Sequence, residues 1–142
     1  MSGDIVVKTK LGEYLIKEGL LYTETDEWIK VEGETITMGI TDYAQKKLKY
    51  IVNVELPEQG AKVSKGEAVV TLESVKSVAD VYSPVDGEVV EVNEELLDSP
   101  DLINKDPYGK GWVLKIKSSS SIDTSQFLTP SAYAEKVKKE EQ

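Results

Sequence analysis

The sequence predicts a mainly β domain, a sandwich or barrel of many short strands, with a short helix after residue 42 and a longer one at the C-terminus. Three observations lead there. Apolar and polar residues alternate at period two along much of the chain, as they do in strands buried on one face. Gly, Pro and Asp residues interrupt these stretches at short intervals, in the manner of turns. Helical spacing of apolar residues recurs only near residue 42 and at the C-terminus. With 142 residues, 39% of them hydrophobic, the chain can bury one core without covalent staples.

Residues 1–20 mix small apolar and charged groups, as in Asp4-Ile5-Val6-Val7-Lys8, and read as an edge strand or a loose arm without assigned function. Residues 28–40 are hairpin-like: Ile29 and Val31, then Ile36, Met38 and Ile40, fall at period two with Gly33 in the turn. Asp42 and Gln45 have capping-box spacing, and Ala44, Leu48 and Ile51 follow at i, i+4 and i+7. A helix is expected there, with Lys46, Lys47 and Lys49 facing water. Residues 51–56 alternate again until Pro57 and Gly60 break the pattern. Beyond Pro84, Asp86-Gly87 is a hairpin signal and residues 88–93 are a further strand.

Pro100 limits residues 94–105 to short helical turns. The turn cluster 106–111 launches a strand over 112–117, with Trp112, Leu114 and Ile116 on one face and Val113, Lys115 and Lys117 on the other. Thr129 before Pro130 is a cap followed by a first-turn proline, opening a terminal helix through Lys139 that Tyr133 and Val137 would dock. The charged run 136–141 reads as its solvated face. Trp28 and Trp112 read as core or rim residues, and Gly39, Gly87 and Gly111 as turn or close-packing glycines.

The stretch from Glu67 to Tyr82 is strand-like at both ends and too long for one strand, since strands rarely exceed about ten residues. A bend is therefore expected near Glu73-Ser74-Val75-Lys76-Ser77-Val78. No Asn-Gly or Asp-Gly pair stands there to make it. Where local propensity and required shape disagree, the position tends to be functional. Two β-rich arms, residues 60–72 and 78–93, flank Lys76 with an approximate two-fold organisation, which implies an exposed tip. Lys76 is the candidate cofactor-bearing residue; taken alone it reads as an ordinary solvated lysine.

Composition narrows the chemistry. The absence of cysteine and histidine excludes disulfides, thiolate catalysis, Ser-His-Asp triads and Cys/His zinc sites, so neither a catalytic residue nor a metal site is expected. All 17 basic residues are lysines, which leaves no guanidinium fork for phosphate or carboxylate. A formal net charge of −9 repels nucleic acid and anionic membrane, and neither is expected as a partner. Short apolar stretches near the N-terminus, broken by charges, suit neither a signal peptide nor a spanning helix. The natural reading is cytoplasmic.

The segment Glu73-Ser74-Val75-Lys76-Ser77, with the downstream Asp80-Val81-Tyr82-Ser83-Pro84-Val85-Asp86-Gly87-Glu88, resembles the lipoyl carrier of the glycine cleavage system, the H-protein family. Asp26-Glu27-Trp28, the segments 39–45 and 54–58, Ser99-Pro100, Ile103-Asn104, Pro107-Tyr108 and the segment 111–117 follow in family order. The likeness spans residues 21–142 as one carrier domain and leaves 1–20 as an N-terminal extension. It implies a barrel-sandwich hybrid of the lipoyl and biotinyl carrier type, with short peripheral helices and a C-terminal helix.

The same resemblance implies lipoate joined to Lys76 as an amide, with the chemistry on the sulfurs and position and shelter left to the protein. Glu73, Ser74, Val75 and Ser77 would be read by the lipoate-attaching enzyme, and Thr25, Glu27 and Asp80 would hold the amine of the loaded arm in a cleft. The chain would then be a non-catalytic shuttle. It would carry the aminomethyl group of glycine between glycine decarboxylase, aminomethyltransferase and dihydrolipoyl dehydrogenase, as a monomer that docks transiently. Two positions depart from the pattern, since the family commonly has serine at Thr25 and histidine at Asp26.

Other readings stay open beside this one. An H-protein-like lipoate carrier could serve another pathway such as sulfur oxidation, and an unlipoylated interaction module could keep the fold without the cofactor. A biotin carrier fits less well, because Val75 and Ser77 rather than methionines flank the lysine. Glu27 and Asp80 as a carboxylate pair would suit a hydrolase, which nothing else in the sequence supports.

Overall fold

In the computed structural model, which describes residues 3–141, the expected sandwich is formed by two antiparallel sheets with open edges. Met1, Ser2 and Gln142, at the ends of the two expected segments, lie outside the described residues. The larger sheet contains β3 (Leu21–Tyr22), β4 (Glu27–Glu32), β5 (Thr35–Ile40), β11 (Leu114–Ser118), β10 (Gly87–Val92) and β7 (Lys62–Val63), in that spatial order. The smaller contains β6 (Ile51–Glu55), β8 (Ala68–Ser74) and β9 (Val78–Tyr82), with β8 in the middle. Period two decides what lies between them. Ile29, Ile36, Met38 and Ile116 from the large sheet and Val54, Val70, Leu72 and Val81 from the small one meet in a single buried cluster. Each such side chain contributes about 1.5–3 kcal/mol on leaving water.

The outer side of β4 is also covered. Trp28, adjacent to Ile29 and so on the opposite face, joins a second cluster with Tyr22, Tyr43, Tyr133 and Val137. Tyr133 and Val137 belong to α4 (Pro130–Glu140), capped by the Thr129 hydroxyl as the sequence indicates. The first twenty residues supply the remaining wall. There β1 (Ile5–Lys8) and β2 (Glu13–Ile16) form a hairpin whose Val7, Tyr14 and Ile16 are buried in this cluster. Leu15 N–H donates to an Asp42 carboxylate oxygen at 2.8 Å, tying the hairpin to α1 (Asp42–Leu48).

Four local expectations are corrected. The α1 cap is Thr41 rather than Asp42: its hydroxyl accepts from Ala44 N–H, which leaves the Asp42 carboxylate to accept from Leu15 and from the Gln45 amide. Asp86-Gly87 does not turn a hairpin, because β9 and β10 lie in different sheets and residues 83–86 cross between them. Gly87 serves close packing instead; a Cβ there would stand 2.1 Å from the Lys117 carbonyl oxygen. Val113 precedes β11 and is buried, not on a polar face, since its N–H and C=O bond Met38 and Asn93. The run 136–141 is only partly solvated. Lys136 reaches Asp26, and the Glu141 carboxylate accepts from Tyr14 O–H at 2.5 Å.

Pro100 has the expected effect on the chain after Asn93, which forms α2 (Glu95–Asp98) and α3 (Leu102–Lys105), one turn each. The arms on either side of Lys76 pair with each other at their bases. Gly66 N–H donates to Ser83 C=O at 2.8 Å, and Ser83 N–H donates to Glu67 C=O at 2.9 Å. This pairing gives the hairpin that carries Lys76 a firm root.

Candidate functional site: the Lys76 hairpin and its cleft

Residues 75–77 are the link between β8 and β9, and a single hydroxyl builds it. Ser74 Oγ accepts from Lys76 N–H at 3.1 Å and from Ser77 N–H at 2.9 Å, while donating to Ser77 C=O at 3.1 Å. A Ser side chain thus replaces the turn residues that the sequence lacks. Val75 N–H donates to Tyr50 C=O at 3.0 Å, which fastens the tip to the chain entering β6. Lys76 is exposed, and its ammonium makes no hydrogen bond or ion pair with any described residue. Glu73, Val75 and Ser77 are exposed beside it, whereas Ser74 is buried with its hydroxyl turned into the link.

A cavity of about 310 Å³ opens beside the tip and is lined by Lys76, Ser77, Asp80, Thr25 and Glu27, among others. The three cleft candidates and the lysine therefore share one space, although β4 and β9 come from different sheets. Ile40, Leu48, Leu72, Ala79 and Val81 give it an apolar side beside these polar residues. Glu27 is 1% exposed. Its Oε1 accepts from the Thr25 hydroxyl at 2.5 Å and also from Thr23, and its Oε2 accepts from Tyr82 N–H at 3.3 Å. Burial pushes this carboxyl above the usual carboxylate range; the Thr23, Thr25 and Tyr82 donors pull it back, and the Asp26 charge pushes it further up. Asp80 is exposed and accepts from the Thr71 hydroxyl at 3.3 Å.

The residues fit a lipoyl group. An exposed primary amine at a fixed apex can form an amide, an apolar side suits a hydrocarbon chain and dithiolane, and two carboxylates suit a cationic end. Thr23 and Lys47 also belong to this site and were not singled out from sequence. Thr23 was legible as the next member of the Thr23, Thr25, Glu27 alternation. Lys47 was not, because helical spacing assigns it only to a solvated face. Asp26 stands between the cleft residues with φ +69°, and its carboxylate accepts from Tyr133 O–H at 2.8 Å.

Among the described residues no cluster of acidic side chains could hold a metal ion, and no helix is long and apolar enough to cross a membrane.

Comparison with known proteins agrees over most of the chain. The family profile described as glycine cleavage H-protein matches residues 20–140. A probable glycine cleavage system H protein of Aeropyrum pernix is 53% identical over 140 residues, covering 98% of each chain. The glycine cleavage system H protein of Rubrobacter xylanophilus is 50% identical over 126 residues, covering 89% of this chain and 98% of its own. The crystal structure of a glycine cleavage system H protein from Mycobacterium marinum superposes with a TM-score of 0.80 at 36% identity, covering 87% of this chain and 99% of that one. From profile, relatives and architecture together, the chain belongs to the glycine cleavage H-protein family, whose members are non-catalytic lipoyl carriers working with the enzymes of the glycine cleavage system.

Proposed function

We propose that this chain carries the one-carbon amine cargo of glycine cleavage on a lipoyl group amide-linked to Lys76. A lipoate-attaching enzyme would load the lysine, and the carrier would then visit glycine decarboxylase, aminomethyltransferase and dihydrolipoyl dehydrogenase in turn. It would do so in the cytoplasm, as a monomer with transient docking. One observation carries the proposal: Lys76 is exposed at the apex of a turn fixed by Ser74 and borders a cavity that also contains Thr25, Glu27 and Asp80.

When bound, the cofactor supplies a disulfide that accepts the cargo and a thiol that releases it. The protein's part is physical. Acylation removes the Lys76 charge, so the ammonium brought to the cleft meets no neighbouring positive charge from its own tether. Glu27, held by two hydroxyls and an N–H, and Asp80 on β9 provide the countercharge, and the burial of Glu27 reduces the competition from water at that carboxylate. Glu73, Val75 and Ser77 present the surface that the attaching enzyme reads. Ser74 contributes shape, because its hydroxyl is spent on the turn.

The test is intact mass after incubation with lipoate, ATP and a lipoate ligase. One lipoyl group should be added to the wild-type chain and none to Lys76→Ala; an unchanged wild-type mass favours an interaction module without cofactor. The lipoylated protein is then offered glycine and the partner decarboxylase. Exchange of labelled bicarbonate into glycine is expected, and its absence with a competent decarboxylase assigns the carrier to another lipoate-dependent pathway.

A further inference from the structure

The cleft beside Lys76 contains a positive charge that a binding site for an ammonium does not need. Lys47 of α1 lines the same cavity as Glu27 and Asp80. Its four-carbon stem is flexible and its ammonium is a compact point charge. A tethered group of that kind competes at an effective concentration on the order of millimolar or more. Left free, it would pair with the cleft carboxylates and exclude a cationic ligand.

It is not left free. Lys47 Nζ stands 3.8 Å from Asp26 Oδ2 and 4.6 Å from the centroid of the Tyr43 ring. Asp26 is itself anchored from α4: its Oδ1 accepts from Tyr133 O–H at 2.8 Å and from Lys136 Nζ at 3.4 Å, and Tyr133 is fully buried. The left-handed φ of Asp26 breaks the extended run between Thr25 and Glu27. Thr25 and Glu27 bond each other, while Asp26 is bound by α4 and pairs with Lys47.

We propose that Asp26 is a positioning residue that holds the Lys47 ammonium at the rim of the cleft, so that Glu27 and Asp80 stay available to the ammonium of the cargo. The inference rests on the reading of this cleft as the cargo site.

The first test needs no lipoate. The Glu27 side-chain carboxyl, labelled with ¹³C, is titrated in the full chain as wild type, Asp26→Asn, Lys47→Met and the double variant. Asn tolerates left-handed φ and keeps an oxygen for Tyr133, so the bend survives. Lys47→Met should raise the Glu27 midpoint by about half a pH unit or more in the Asp26→Asn background, and by a few tenths or less, roughly, in the wild-type background. Equal shifts in both backgrounds overturn the proposal.

The second test follows spontaneous loss of cargo from the loaded protein without partner enzymes. Asp26→Asn should speed the loss about three- to tenfold, and adding Lys47→Met should return it toward the wild-type rate. An unchanged rate in Asp26→Asn, or a faster rate that persists in the double variant, overturns the positioning role and leaves Asp26 an anchor for α4. Glu27→Gln is run alongside. If it loses cargo no faster than wild type, the cleft reading itself fails, which is a distinct result from failure of the positioning role.

Discussion

Lys49 closes α1 with φ +69° and ψ −153°, a region that a Cβ makes costly and that glycine enters freely. Its N–H still donates to Gln45 C=O, so a glycine would keep the cap. Lys49→Gly is therefore expected to stabilise the fold by about 1 kcal/mol, the relief of strain exceeding the added chain entropy, and to raise Tm by roughly 2–5 °C. Glu27 carries a cost of another kind. Burial raises its folded-state pKa above the ordinary value near 4.5 at which it titrates in the unfolded chain. Below both values the group is protonated in either state and contributes nothing. As pH rises through the ordinary value and on to the folded one, the unfolded chain gains from ionising first and stability is lost. The Tm of Glu27→Gln relative to wild type should accordingly increase as pH rises from the ordinary carboxylate value and level off once the folded chain has ionised too, and a pH-independent difference in melts would count against a buried, raised carboxyl. Single residues were legible unevenly. Lys76 stands out because the bend there lacks turn residues, whereas Thr25, Glu27 and Asp80 are pointed to by the family likeness alone; all four line one cavity. Asp26 and Lys47 acquire meaning only from α4 and Tyr43, which lie far from them in the chain or on an adjoining turn.

At the scale of elements, the hairpin of β8 and β9 depends on the Ser74 hydroxyl. Ser74→Ala removes two acceptor contacts and one donor contact at a position 7% exposed, and should cost about 1–3 kcal/mol of stability. The more telling readout is local. Amide exchange at Lys76 and Ser77 should accelerate while β4 and β5 remain protected, and ligase-catalysed lipoylation should slow several-fold, roughly, as the apex loses its fixed form. Strands and helices with strong periodicity were readable, as with β4, β5 and α4, because one face of each is buried in a single environment. The α1 cap was not. Thr41 and Asp42 are both good caps, and the choice was made by Leu15 and Gln45, which claim the Asp42 carboxylate for themselves. The Asp86-Gly87 pair misled for a similar reason: a dipeptide suited to a tight turn is equally suited to close packing, and the Lys117 carbonyl occupies the space a side chain would need.

The molecule as a whole has two cores separated by β4, and the sequence pattern announced the inner one alone. The outer core depends on residues that were read as an edge strand or a loose arm. Removing residues 1–17 would uncover Tyr43, Tyr133 and Val137 and leave the Asp42 carboxylate without Leu15. A loss of about 3 kcal/mol or more is expected in chemical denaturation, with the folded fraction still accepting lipoate at Lys76, since the inner core and the β8–β9 hairpin are untouched. Full stability after truncation would show the β1–β2 hairpin to be decoration. Assigning β9 and β10 to different sheets also lay beyond the sequence, because period two tells which face is apolar and not which neighbour covers it. That crossover leaves β9 at the margin of its sheet, where Tyr82 N–H finds Glu27 Oε2 of β4 at 3.3 Å. One acid thus acts as a rivet through both layers of the carrier. Taking that carboxylate away from β4 would strand a backbone donor on β9, so the two layers are fastened at a point where β9 has no ladder partner to spare.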